Sequence, residues 1–390
     1  MPEDPRTRNG RTRRDTLKYG STLVGGTILA GCVSGTGQGD TNEDEGVNAS
    51  PESESYSVSM EPVGEVEFDR IPERWVAYDG GYADMAVALG QADGITGIGH
   101  APRYYTYVYD ELPGVTVDRE QIEAYPEVRT KEEFYELDND VHLYDPQVLI
   151  NWFDWNDEDI DEIASNVAPF IGNLIFRRSD GWHDYRYYTL YEAFEKIAEV
   201  FQQQERYEAF EELHSEFIAS IQTRLPPAEE RPRVLLTYNG NEEPETFSPY
   251  RLIDNGTSKK QWLDLGVEDE LAGTGVENLS TANRGKLDYE NLLEVDPNVI
   301  LIRGHDRKSP AEFRDTVLAY MQDHPVGSEL TAVQNGRVYR GGYLNQGPIH
   351  NLFLTERAAK QMYPEEFGDV TDDTELFDRQ RVADIVTGEF

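Results

Sequence analysis

A single cysteine in 390 residues leaves no partner for an intrachain disulfide, and it excludes a cysteine-built zinc ribbon or redox pair. Basic side chains are scarce: 35 Lys and Arg stand against 75 Asp and Glu, a formal net charge of −40. A nucleic-acid binder needs clustered cations to neutralise phosphates, so that class is excluded. No apolar run reaches the roughly 18 residues of a spanning helix, which excludes a polytopic membrane protein. The chain also lacks a Gly-x-Ser-x-Gly elbow, a His-Glu-x-x-His pair and a Walker loop, and no enzyme is expected. Its seven histidines show no His-x-x-x-His spacing, so neither a metal site nor a cofactor is assigned.

What is present argues against disorder. Acidic chains of low hydrophobicity can fail to fold, but 23 Tyr, 15 Phe and 5 Trp are spread through segments with clear periodicity. The acids are dispersed along the chain rather than gathered in a tail. That pattern resembles the evenly acidic surfaces of proteins from extreme halophiles, where salt screens the self-repulsion.

The N-terminus carries the most specific signal. Residues 12–18 read Thr-Arg-Arg-Asp-Thr-Leu-Lys, a mildly apolar stretch runs from Tyr19 to Ala30, and Leu29-Ala30-Gly31-Cys32 follows. A basic start, about a dozen apolar residues and small residues at a cleavage point make an export signal, too short and polar for a membrane span. The pair Arg13-Arg14 resembles a twin-arginine signal, although Thr16 stands where that motif has a large apolar residue. Leu-Ala-Gly-Cys resembles a lipobox, which implies lipid modification of Cys32. Residues 1–32 are therefore an export signal with lipobox, and residues 33–59 an acidic, self-repelling tether.

From about residue 60, β-rich runs alternate with helical patterns, which implies parallel βαβ units. Trp75–Tyr78 and Ile95–Ile98 read as strands, His142–Trp152 as a segment ending in a third strand, and Tyr82–Leu89 and Asp159–Val167 as helices. Apolar residues then recur at helical spacing from Leu190 to Leu225, predicting two consecutive helices, the second near 205–225 and about 30 Å long. Pro226-Pro227 ends it. A second α/β unit follows, with strands at Arg233–Tyr238, Asn298–Arg303 and Arg337–Arg340 and helices at Lys259–Leu265, Tyr289–Val295 and Leu352–Met362. The phrases Asp145-Pro146 before Val148-Leu-Ile150, and Asp296-Pro297 before Val299-Ile-Leu-Ile302, suggest a weak internal repeat. The expected organisation is an N-terminal lobe at 60–187, linking helices at 188–226 and a C-terminal lobe at 227–390.

Signal, lipobox, tether, lobe, long helix and lobe together resemble the substrate-binding lipoproteins of ABC importers, in the helix-linked class that serves ferric siderophores, haem and cobalamin. The residues that carry this are Tyr82–Gly97, Leu292-Leu-Glu-Val-Asp-Pro-Asn-Val-Ile-Leu-Ile, Val333-Gln-Asn-Gly-Arg-Val-Tyr, and Gln346-Gly-Pro348 with the helix up to Met362-Tyr-Pro364. The resemblance covers about residues 60–390. It implies two Rossmann-like α/β lobes with parallel-rich sheets joined by a long helix, a ligand cleft between them, an iron chelate as ligand, and an ABC permease with its ATPase as partners. It also implies a monomer, lipid-anchored at the outer face of the cytoplasmic membrane. With the acidic surface, it implies a haloarchaeal source.

In open parallel sheets ligands bind beyond the carboxyl ends of the strands. The candidates at or near those ends are Tyr78, Tyr82, Arg103, Tyr104, Trp152, Trp155, Tyr238, Arg251, Arg303, His305 and Tyr343, with Tyr185 from the aromatic run Trp182–Tyr188. Flat aromatic faces suit a large ferric chelate or macrocycle, and Arg supplies charge-assisted hydrogen bonds to an anionic one. Phenolates in the 182–188 run are reasonable direct ligands of ferric iron, though such a run is also ordinary packing. Cobalamin or haem remains open as ligand within the class. Outside it stand a surface lipoprotein hydrolase and a sensory or adhesive lipoprotein.

Overall fold

The computed structural model describes residues 55–390, apart from 255, 278–284 and 372. Arg13, Arg14, Cys32 and most of the tether lie outside the described residues. The tether is expected to run to residue 59, but strand β1 (Tyr56–Met60) already pairs antiparallel with β2 (Gly64–Phe68). The period-two burial of Val58 and Met60 fixes the face that packs inward, a signal hidden by the polar residues between them.

The N-terminal lobe is built on a three-stranded parallel sheet ordered β4 (Ile95–Ile98), β3 (Trp75–Ala77), β5 (Val141–Leu143). All three strands are buried on both faces, as parallel strands between helices must be. Helix α1 (Gly80–Ala88) starts where the Asp79 carboxylate accepts from the Gly81 and Tyr82 amides, at 2.8 and 3.2 Å. Short helices α2 (Arg119–Ala124) and α3 (Lys131–Leu137) complete one connection, and α4 (Pro146–Trp152) and α5 (Asp157–Asn166) follow β5.

The third strand is thus placed differently from the sequence reading. Val148-Leu-Ile150 is helical, and the strand precedes Asp145. Asp145 caps α4 by accepting from the Gln147 amide at 2.9 Å, and Pro146 takes the first helical position, where its missing N–H is not needed. Asp296-Pro297 does lead into a strand, because Asp296 is a left-handed helix terminus (φ 43°). The two phrases therefore do opposite work and are no repeat.

The link comprises α6 (Leu190–Phe201), with a Thr189/Glu192 capping box and a buried face of Leu190, Ala193, Phe194, Ile197 and Phe201, and α7 (Gln204–Gln222), about 28 Å long. Gln202 (φ 52°) turns the chain between them. The C-terminal lobe holds a mixed sheet ordered β10 (Val338–Arg340), β9 (Ile300–Arg303), β6 (Arg233–Tyr238), β7 (Ser248–Pro249), with β8 (Glu268–Asp269) also on β6; only β7 is antiparallel. Helices α8 (Lys260–Asp264), α9 (Tyr289–Val295), α10 (Pro310–Phe313), α11 (Ala319–Asp323) and α12 (Thr331–Gln334) connect the strands. Helix α13 (Pro348–Met362), the short α14 (Pro364–Phe367) and α15 (Arg379–Thr387) finish the chain.

The lobes share one core. Helix α13 packs on α1, α7 and α8 at once, and a single buried cluster runs from Met85 and Ala86 through Phe194 to Leu352 and Ala359. Polar ties cross the boundary as well. Asp84 on α1 accepts from the His350 amide at 3.0 Å, Asn345 donates to Asp79 at 2.6 Å, and the Thr257 amide donates to the Ile175 carbonyl at 2.9 Å. Among the described residues, no helix is long and apolar enough to cross a membrane.

Candidate functional site

Strands β3 and β4 of the N-terminal sheet and β6 of the C-terminal sheet end at one cleft of about 900 Å³. Tyr78 follows β3, His100 and Arg103 follow β4, and Tyr238 closes β6 with Asn239 beyond it. Close approach of backbones makes this possible: a Cβ on Gly99 would lie 2.7 Å from the Tyr144 hydroxyl and 2.8 Å from the Tyr78 carbonyl. Trp152, the last residue of α4, forms the aromatic wall with Tyr78 (ring centres 6.1 Å apart), Phe153 and Phe176. Tyr250, which follows β7, lies against the opposite side, with the Arg303 guanidinium 5.1 Å from its ring centre.

The charges in this cleft are of one sign. Among the described residues the lining holds Arg103, Arg129, Arg177 and Lys286 and no aspartate or glutamate, although acids outnumber bases by 40 in the whole chain. Arg129 is oriented by its own contacts, donating to the Gly99 carbonyl at 2.8 Å and to His100 Nδ1 at 2.7 Å while lying 4.7 Å over Phe153. Because His100 Nδ1 accepts there, its proton sits on Nε2. Burial, and then the neighbouring Arg103 and Arg129, pull the His100 pKa down to about 4, so the ring is neutral at pH 7. Arg177 pairs with Asp180 at 2.5 and 2.9 Å and stacks over Trp152. Burial pushes the Tyr78 and Tyr250 hydroxyls above their ordinary range, keeping both as hydrogen-bond donors.

Under the floor lie two more cations. Arg303 is buried, donating to the Ser258 carbonyl, and burial lowers its pKa to about 10. Lys259 pairs with Asp254, and burial lowers it to about 8. Past Arg103 the cleft continues into a chamber of about 300 Å³ lined by Tyr105, Arg303, Asp306 and Leu344, and then into one of about 330 Å³ lined by Glu242, His305, Asp306, Arg307 and Lys308.

Of the residues singled out in the sequence, Tyr78, Arg103, Trp152 and Tyr238 line the main cleft, and Arg303 and His305 line its extensions. The remaining six lie elsewhere. Tyr82 points into the core, its hydroxyl donating to the Asn173 carbonyl at 2.8 Å. Tyr104 is buried against Tyr109 and His350, and Trp155 turns inward to donate to the Arg129 carbonyl. Tyr185 donates to Asp145 at 2.5 Å within a stack in which His183 lies 3.9 Å from Tyr185 and 3.6 Å from Tyr187. Arg251 is buried in an ion pair with Asp269. Tyr343 stacks on Tyr105 at 4.0 Å and lines a separate cavity of about 430 Å³. Arg129, Arg177, Phe176 and Tyr250 follow none of the expected strand ends. For the Phe176-Arg177 pair the one available signal is two adjacent arginines after an aromatic residue in so acidic a chain.

Comparison with known proteins adds a family and a fold. Residues 76–342 match the model of the family described as periplasmic binding protein. No curated protein matches. Among solved structures, a periplasmic binding protein from Veillonella parvula superposes with a TM-score of 0.56 at 17% identity, covering 79% of this chain and 97% of that one. The petrobactin-binding protein YclQ from Bacillus subtilis gives 0.53 at 15% identity, covering 80% and 99%. An ABC-type Fe3+-hydroxamate transport protein from Saccharomonospora viridis gives 0.51 at 17%, covering 78% and 96%. The family match spans both sheets and every strand that ends at the cleft, and the chain belongs to the periplasmic binding protein family.

Proposed function

We propose that this protein is the extracytoplasmic solute-binding component of an ABC importer, capturing a ferric-siderophore-type chelate and delivering it to a permease and its ATPase. One observation carries the reading: an aromatic-walled, arginine-lined cleft of about 900 Å³ lies where β3 and β4 of one lobe and β6 of the other end. That volume suits a ligand larger than a bare ion, and flat rings with guanidinium donors suit a rigid chelate. Structures of the same fold are named for petrobactin and for an Fe3+-hydroxamate. Cys32 is the proposed lipid anchor, holding a monomeric body at the outer face of the membrane. A glycosidase-like hydrolase needs two carboxylates across the substrate, and none lines this cleft among the described residues.

The test is a titration of the mature protein, freed of its anchor, in molar salt. Ferric hydroxamate, ferric catecholate, cobalamin, haem and weakly chelated Fe(III) are added in turn while tryptophan emission is followed. Because Trp152 lines the cleft, one-to-one quenching by a ferric chelate and not by its iron-free form is the expected result. Tight binding of a corrinoid or haem alone would replace the ligand and keep the importer. Turnover of any added compound would overturn the binding-protein reading.

A further inference from the structure

We propose that the separate cavity beside Tyr343 is a second binding site, built for a small zwitterion that carries a carboxylate and an ammonium at the two ends of a short apolar chain. The proposal stands apart from the chelate reading, since none of the side chains it rests on lines the main cleft.

The cavity holds about 430 Å³. Tyr107, Val108 and Glu111 come to it from the N-terminal lobe and the rest of its lining from the C-terminal lobe, chiefly from α13 and the segment that leads into α15. The Tyr343 ring stands between it and the chambers of the main cleft, stacked on Tyr105 at 4.0 Å and donating to the Tyr107 hydroxyl at 2.6 Å.

Its partly buried end is cationic. Arg340 and Arg357 both line it, and Arg357 is paired with Asp306 at 2.6 Å. Arg340 makes no ion pair among the described residues, and its one side-chain hydrogen bond there runs from Nη1 to the Lys308 carbonyl. Burial, and then Arg357 beside it, lower its pKa to about 10, which leaves it charged at pH 7. A guanidinium with donors unspent and a second cation next to it takes a carboxylate through two parallel hydrogen bonds.

The exposed edge of the same cavity is acidic. Glu111, Asp373 and Glu375 line it there, and Arg379 is shared between the buried Glu356 at 2.7 Å and Glu111 at 3.9 Å. A simple anion must pass these carboxylates, and the field of a chain of formal charge −40, to reach Arg340. An ammonium on the same ligand turns that repulsion into attraction. Val108, Phe353 and Val370 supply apolar surface for the chain that joins the two charges.

Calorimetric titration of the mature protein, freed of its anchor, with 6-aminohexanoate, hexanoate and hexylamine tests this. The zwitterion is expected to bind one-to-one, with hexanoate about 5- to 30-fold weaker and hexylamine weaker still. Arg340→Gln is expected to weaken 6-aminohexanoate at least tenfold, and Arg340→Lys to recover part of the loss. Glu111→Gln with Glu375→Gln should bring 6-aminohexanoate and hexanoate within about threefold of each other, a change that mere loss of folding would not produce. Trp152→Ala, in the main cleft, should leave 6-aminohexanoate within about threefold. No binding of 6-aminohexanoate, equal binding of hexanoate, or binding that Trp152→Ala removes and Arg340→Gln does not would overturn the proposal. Each of these results leaves the titration with ferric chelates, and the reading drawn from it, unaffected.

Discussion

His142 lies in the middle of the N-terminal sheet, its ring 4.7 Å from Phe134 and 4.8 Å from Phe170. Burial lowers its pKa from 6.5 to about 3. A base whose folded pKa is depressed keeps its full stabilising contribution above the unfolded value and loses it as pH falls towards the folded one, at about 1.4 kcal/mol per unit. His142→Phe is therefore expected to reduce the stability lost between pH 7 and pH 5 by about 2 kcal/mol, read from denaturant unfolding at the two pH values. A pH dependence identical to the parent's would show that His142 is not the residue responsible. Strand ends name Tyr78, Arg103 and Trp152 in the sequence, but the direction of a side chain is settled by local backbone that sequence pattern does not reveal. Trp152 and Trp155 illustrate this: α4 ends at the first, Asp154 adopts φ 61°, and the reversed chain sends the second into the core.

Alternating β-rich and helical runs, the paired helices and the lobe order were legible because burial on both faces of parallel strands and the 3.6 period leave direct patterns. Asp-Pro was ambiguous, since Asp caps helix starts and also tolerates the left-handed conformation that ends them. Nothing local to α1 or α13 predicted that they would be tied by Asp84, which accepts from the Tyr109 hydroxyl at 2.7 Å and from the His350 amide at 3.0 Å. Asp84→Ala strands two buried donors and is expected to destabilise the protein by roughly 2–5 kcal/mol. Thermal and denaturant unfolding in molar salt measure this, and a loss below about 1 kcal/mol would mean that the tie contributes little beyond the shared apolar core.

For the whole molecule, charge works in two opposing ways. The chain carries a formal −40, while the cleft gathers cations contributed by separate loops, a convergence that composition alone cannot foretell. An anionic chelate approaching from solution meets the field of the body before it meets Arg103. That repulsion acts through solvent and is screened as the Debye length shrinks from about 10 Å at 0.1 M salt to about 3 Å at 1 M. Contacts inside the cleft are partly buried and far less screened. Raising salt over this range should therefore speed association of an anionic ferric chelate several-fold while leaving its dissociation rate nearly unchanged, the reverse of an oppositely charged pair, whose encounter slows with salt. A neutral chelate of similar size provides the baseline and should associate at a rate almost independent of salt. Stopped-flow quenching of tryptophan emission resolves the two rates, with circular dichroism confirming that the protein stays folded at the lower salt. An association rate that falls with salt would mean that the positive potential of the cleft reaches further into solution than the negative potential of the body, and that approach is guided by the site itself.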